Sequence, residues 1–136
     1  MHEIIIFLQT FDKYKHFTYL ELRLHIKQSF INNQYKVFKD EDGKIFGFVN
    51  WAWVDKKTKE QYFQTGKVKK WNCGDILLPV NCVAKKNMRE IAKWCKDKAI
   101  KLIGENKELN YLRVDNNFIL KKIIKTETKG SWLWEM

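Results

Sequence analysis

Apolar residues recur at helical spacing in the first part of the chain. Residues 3–10 form a short apolar run, and residues 19–32 carry apolar side chains at intervals of three and four. Thr18, with Glu21 three residues later, forms a capping box that predicts the start of the second helix. The buried face of that helix is predicted to consist of Tyr19, Leu22, Ile26 and Phe30.

Two further helices are predicted downstream. Asp55 can cap a short charged helix that ends near Gly66. Asn87, with Glu90 three residues later, marks the start of a longer helix that ends at Gly104. The apolar face of this longer helix comprises Met88, Ile91, Cys95, Ala99, Leu102 and Ile103.

Strand-like segments separate these helices. Residues 34–38 and 44–53 are rich in aromatic and β-branched residues, and the Asp-Glu-Asp-Gly between them predicts an antiparallel hairpin. Residues 75–83 read as a strand interrupted by Pro79, and residues 111–114 and 118–124 read as two more, with a turn at 115–117. The order predicts an α+β fold, a mostly antiparallel sheet flanked by helices, in one domain of residues 1–136.

Charge and cysteine content narrow the class of partner and the compartment. Lys and Arg number 26 against 16 Asp and Glu, a formal charge of +10 that favours acidic partners such as nucleic acid, anionic membrane or an acidic carrier protein. Three cysteines without a CxxC pair suggest reduced thiols in the cytoplasm, and the His and Cys positions show no metal-ligand spacing. The apolar run near the N-terminus is too short to span a membrane.

Four short motifs carry a family resemblance. They are Asn33-Gln34-Tyr35, then Gly47-Phe48-Val49-Asn50-Trp51-Ala52, then Trp71-Asn72-Cys73-Gly74-Asp75, and Arg113-Val114-Asp115. In this order and spacing they resemble the RTX toxin-activating lysine acyltransferases, over residues 14–129. The resemblance implies a GNAT-like fold, an acyl-acyl carrier protein donor with no bound cofactor, a lysine-bearing acceptor protein, and scope for a homodimer. The glycines form no pyrophosphate-binding cluster, which agrees with a carrier-protein donor.

The resemblance implies a catalytic histidine before the first long helix, and His16 is the nearest candidate. A lysine nucleophile is an ammonium near neutral pH, so a base must remove its proton before the nitrogen attacks a thioester. Asn81 stands where the family pattern places a catalytic Asp; its carbonyl can still orient an imidazole but supplies no charge. Judged without the resemblance, His16 reads as an exposed residue of a basic run. His25, one turn from Leu22, is predicted to be a partly buried histidine with its hydrogen bonds satisfied, and not a second base.

Four further residues fall on or near positions of the family pattern. Tyr62 and Gly74 are predicted substrate contacts, with a core aromatic and a turn glycine as equal alternatives. Lys85 and Lys86 replace the Pro expected after Ala84, and they either contact an acidic carrier or its phosphate, or form an exposed basic loop.

Three alternatives stay open at this point. Cys73 or Cys82 could form a transient thioester, although apolar neighbours favour an inert thiol. Trp51 and Trp53, with further tryptophans, could stack bases in a nucleic-acid-binding domain. Asn81 could mark a catalytically inactive relative that binds partners without transferring acyl groups.

Overall fold

The computed structural model describes residues 1–114 and 121–128, which contain four helices and five strands. The helices are α1 (His2–Leu8), α2 (Tyr19–Ile31), α3 (Lys56–Thr65) and α4 (Met88–Ile103). The strands are β1 (Tyr35–Lys39), β2 (Ile45–Val54), β3 (Ile76–Ala84), β4 (Glu108–Val114) and β5 (Lys121–Glu127). An antiparallel sheet has the order β1-β2-β3, and β4 pairs antiparallel with β5. The α+β class is therefore confirmed, while the GNAT-like arrangement stays a prediction.

The helix starts follow from local capping chemistry. The Thr18 hydroxyl accepts from the Glu21 amide at 3.1 Å, and the Glu21 carboxylate accepts from the Thr18 amide at 2.9 Å. Asp55 accepts from the Thr58 amide at 2.8 Å, as its position before α3 predicts. Asn87 precedes α4 in the left-handed conformation and makes no side-chain cap, so the predicted boundary is confirmed but the predicted capping box is not.

A β-bulge interrupts the pairing of β2 with β3. Asn50 lies opposite Asn81, but the next residue, Trp51, lies opposite Pro79, which leaves Val80 as an extra residue in β3. The interruption predicted from Pro79 is confirmed. A bulge bends its strand and changes the direction of nearby side chains. This bulge therefore affects the direction of the side chains on either side of Val80.

Helix α2 packs on the sheet through only part of its predicted face. Leu22 and Ile26 are buried in a core cluster with Phe48. Tyr19 is 39% exposed, contrary to prediction. Its hydroxyl instead hydrogen-bonds His2 Nδ1 at 2.8 Å, because the first turn of α2 lies beside α1.

Helix α4 also packs on this sheet, but its buried residues belong to other core clusters than those of α2. Ile91 and Ala99 are buried, and the Ile91 Cδ1 atom occupies the space that a side chain at Gly47 would fill. Met88, on the predicted apolar face, is 41% exposed and lines a cavity.

The tryptophans of β2 belong to the core and do not form a flat exposed platform. Trp51 and Trp53 are half-buried and pack against the cluster that contains Ala92 and Leu109. This packing removes the main support for base stacking by these two side chains.

The bounds of the C-terminal hairpin differ in part from the predicted ones. The second strand was expected at 118–124 and β5 spans Lys121–Glu127, while the predicted turn at 115–117 lies outside the described residues. Within residues 1–114 and 121–128, no helix is both long enough and apolar enough to cross a lipid bilayer.

Candidate active site

A cavity of about 590 Å³ opens between β3, β4 and α4. β3 and β4 belong to different sheets, so their side chains face a gap that no ladder of backbone hydrogen bonds closes. Large apolar side chains form much of the wall, namely Trp51, Leu77, Trp94, Leu102, Leu109 and Leu112. This volume falls within the range of about 300–1,000 Å³ typical of small-molecule sites.

Polar side chains converge on Asn81 at one wall of this cavity. The Asn81 Oδ1 atom accepts from the Tyr14 hydroxyl at 2.8 Å and contacts His25 Nε2 at 3.2 Å. Asn81 is only 8% exposed and Tyr14 is buried, whereas His25 is half-buried and lines the cavity. Because an amide oxygen only accepts, Nε2 of His25 must carry a proton in this contact.

Hydrogen bonds to Asn50 fix the orientation of the Asn81 amide. Asn50 Oδ1 accepts from the Asn81 backbone amide at 2.8 Å and from Asn81 Nδ2 at 2.9 Å. Asn50 Nδ2 in turn donates to Ser29 Oγ at 3.1 Å, and Ser29 donates to the Ile26 carbonyl at 2.7 Å. This buried chain of neutral groups directs the Asn81 oxygen toward Tyr14 and His25.

Burial determines the protonation of both partners of Asn81. Burial lowers the pKa of His25, and the hydrogen bond to Asn81 only partly opposes this, while Lys67 and Lys13 lower it further. Burial also raises the pKa of Tyr14, together with the negative forms of Tyr62 and Cys82. At neutral pH the site therefore holds an uncharged imidazole and a protonated phenol.

The structure corrects the predicted pairing of His16 with Asn81. His16 is exposed in the turn between α1 and α2, does not line the cavity, and makes no hydrogen bond with Asn81. From this turn, the buried Tyr14 side chain reaches Asn81, and His25 is the histidine that reaches it. The prediction that His25 is partly buried is confirmed, and one of its two ring nitrogens, Nε2, is hydrogen-bonded. Sequence reasoning missed Tyr14, whose only signal was an aromatic residue within a basic run.

Tyr62 and Gly74 have structural roles beside the site. The Tyr62 hydroxyl donates to the Val80 carbonyl at 3.1 Å and so holds the extra residue of the bulge. A Cβ atom at Gly74 would collide with the backbone of Val54 and Asp55, so only glycine fits between β2 and α3. Tyr62 also lines the cavity, whereas Gly74 does not.

The two predicted basic contacts are already engaged within the protein. Lys85 Nζ donates to the Thr10 carbonyl at 3.0 Å and lies 4.2 Å from the centre of the Phe11 ring. Lys86 forms an ion pair with Asp40 at 3.2 Å. Lys85 lines a second cleft of about 520 Å³, and Lys86 lines neither that cleft nor the larger cavity. Contact of these lysines with a carrier stays a prediction.

The fold and the site together define an α+β domain in which an uncharged histidine stands beside an apolar cavity, an arrangement suited to group transfer. The chain belongs to the RTX toxin acyltransferase family, whose model matches residues 1–125 of the 136. The family resemblance seen in the sequence is thereby confirmed, and the family is one of acyltransferases. No curated protein matches the chain.

Proposed function

We propose that this protein moves a fatty acyl group from the thioester of an acyl carrier protein to a lysine of an acceptor protein, with His25 as the general base. The observation that carries the proposal is the 3.2 Å contact between His25 Nε2 and Asn81 Oδ1 at the wall of an apolar cavity. Membership of an acyltransferase family supplies the reaction class.

The tautomer of His25 suits a proton acceptor. Since Nε2 donates to Asn81, the neutral ring carries its free lone pair on Nδ1. The lowered pKa of His25 keeps that lone pair available near pH 7. An incoming lysine, with an ordinary pKa of about 10.4, must lose a proton to attack, and Nδ1 is the group that takes it.

Asn81 acts as a positioning residue in this scheme. Its amide holds the imidazole in one tautomer, as an amide does in Cys-His-Asn proteases. It supplies no negative charge, so the imidazolium formed during transfer lacks the stabilisation that a carboxylate would provide. We therefore expect His25 to be a weaker base than a histidine paired with Asp.

The apolar cavity and the positive net charge suit an acyl carrier protein as the donor. The apolar wall formed by Trp51, Trp94 and Leu102 can hold a fatty chain, which gains about 0.8 kcal/mol for each buried CH₂ group. The charge of +10 would draw an acidic carrier toward the protein. We extend the proposal to a cytoplasmic protein that works as a monomer or a homodimer.

The test is acyl transfer from palmitoyl-loaded carrier protein to co-expressed acceptor candidates, read as acylated lysine by mass spectrometry. Removing a general base costs about 10²- to 10⁴-fold in rate, so His25→Gln should lose transfer to that extent. His16→Gln is the matched control and should keep the full rate. Equal rates for the two variants would refute His25 as the base.

The absence of a carboxylate at Asn81 favours a second candidate function, a non-catalytic relative that binds the same partners. In that case neither the wild type nor the His16 control would acylate lysine, while binding to the acidic carrier would persist at low salt. A matched binding measurement with oligonucleotides separates both proposals from a nucleic-acid-binding domain, in which nucleic acid would bind more tightly than carrier protein.

A further inference from the structure

The ionised side chains around the apolar cavity all carry positive charge. Four cationic side chains line it, whereas no Asp or Glu among the described residues does. The four are Lys13, Arg89, Lys98 and Arg113. Within residues 1–114 and 121–128, none of them forms an ion pair. A cleft with apolar walls and one sign of charge concentrates ligands of the opposite sign, so this cavity favours an anion.

Two of these cations, Lys13 and Lys98, are half-buried and lie against aromatic rings of the cavity wall. Lys13 Nζ is 5.3 Å from the centre of the Tyr14 ring, and Lys98 Nζ is 5.7 Å from the centre of the Trp51 ring. A ring face attracts an ammonium group but does not neutralise it. Burial lowers the pKa of Lys13, and negative charge on Cys82 opposes this only in part. An anionic group beside Lys13 would therefore stabilise its charged form.

Lys13 lies at the polar end of the cavity. Tyr14 follows it in the chain and donates to Asn81 Oδ1 at 2.8 Å, and Lys13 Nζ lies near the same ring. The charge of Lys13 also acts on His25, whose pKa is lowered first by burial and then by Lys67 and Lys13. An anion beside Lys13 would thus lie next to the Asn81–His25 pair, and an apolar tail could extend along the tryptophan and leucine wall.

We propose that the cavity binds a free fatty acid as its carboxylate, with the head beside Lys13 and the chain along Trp51, Trp94 and Leu102. The inference deepens the function proposed above and rests on it, because the fatty acid would occupy the space proposed for the acyl chain. A thioester is uncharged at its carbonyl, whereas the acid released by its hydrolysis is negatively charged at the same position. The free acid is therefore an inhibitor that competes with the donor and is favoured by the charge of the cavity.

Isothermal titration calorimetry of the full chain at neutral pH tests this charge preference. Sodium octanoate and 1-octanol are matched probes, because they share an eight-carbon chain and differ in the charge of the head. Octanoate should bind more tightly by about tenfold, the effect of one charge-assisted hydrogen bond. Lys13→Met should lose this preference and still bind octanol, since methionine keeps an apolar stem in the wall. The retained binding of octanol also shows that the variant is folded.

Lys15→Met is the matched control. Lys15 lies two residues further along the same turn, is exposed, and lines neither the cavity nor the second cleft. This variant should keep the full preference for octanoate. Equal affinity of the wild type for the two probes, an unchanged preference in Lys13→Met, or an equal loss in both variants would overturn the inference.

A competition assay separates the failure of this inference from the failure of the proposed function. Octanoate at concentrations that saturate the calorimetric site should inhibit lysine acylation by the wild type, and excess acyl carrier donor should relieve the inhibition. Acylation at the full rate with that site saturated would overturn the inference and leave the proposed function standing. Tighter binding of octanoate than of octanol, without any lysine acylation, would support the fatty-acid site and count against the proposed function.

Discussion

Replacing Asn81 by Asp would change the charge beside His25 while nearly preserving the shape of the side chain. A carboxylate oxygen 3.2 Å from Nε2 attracts a protonated imidazole by about 5 kcal/mol at an effective dielectric constant of about 20, an upper limit because both ions also lose hydration. A neighbouring opposite charge shifts a pKa by about one to three units, and each unit corresponds to about 1.4 kcal/mol. We therefore expect Asn81→Asp to raise the pKa of His25 by about one to three units.

The same substitution has a cost in stability that the structure locates. Asn50 Oδ1 accepts from Asn81 Nδ2 at 2.9 Å, and an Asp would place a second oxygen against it. Losing this buried bond lowers the free energy of unfolding by about 1–3 kcal/mol, measurable by urea denaturation at neutral pH. The variant should thus be a stronger base in a less stable protein.

An NMR titration of the imidazole resonances checks the pKa prediction directly. The wild-type and Asn81→Asp spectra are compared over the same pH range. Asn106→Asp adds the same charge at an exposed position and should leave the His25 midpoint in place. An unchanged or lowered His25 midpoint in Asn81→Asp would refute the reasoning, because a carboxylate at position 81 would then not stabilise the protonated ring.

Three further predictions follow from the same contacts. The pKa of His25 is lower in the folded state than its ordinary value of about 6.5, so the unfolded state binds the proton first as the pH falls. The free energy of unfolding should therefore fall below about pH 6.5 and level off below the folded pKa. In urea titrations, His25→Gln should flatten this pH dependence. Gly74→Ala should lower the free energy of unfolding by about 1–3 kcal/mol through collision with the Val54 backbone, and an unchanged thermal midpoint would contradict it. Thr18→Ala should lower the same free energy by about 1 kcal/mol by removing the bond to the Glu21 amide, and a loss below about 0.3 kcal/mol would show that the cap is dispensable.

Most of the secondary structure could be predicted because its determinants are local. The capping pair Thr18 and Glu21, the cap at Asp55 and the turn before β2 each act within a few residues, and each occurs where the sequence indicated. The exposure of Tyr19 could not be predicted, because helical spacing defines a face without saying how far the neighbouring sheet extends beneath it.

The site was predicted in part. Asn81 was identified from its position in the family pattern, and it does lie at the cavity. Whether the Tyr14 or the His16 side chain contacts Asn81 depends on how the turn before α2 folds over β3. This is a tertiary property, and it places Tyr14 inside and His16 outside. His25 was recognised as half-buried, but its contact with Asn81 joins residues 56 positions apart, and no local pattern encodes such a pairing.

The buried chain Ser29–Asn50–Asn81 has a consequence for how the protein should respond to ionic strength. Each hydrogen bond of this chain joins uncharged groups that are shielded from solvent. Added salt should therefore hardly change the geometry around His25. Recruitment of an acidic partner by a strongly cationic surface, in contrast, is screened within about 10 Å at 0.1 M salt. Raising the salt concentration should therefore increase KM and leave kcat nearly constant, which separates partner capture from the chemical step in a single titration.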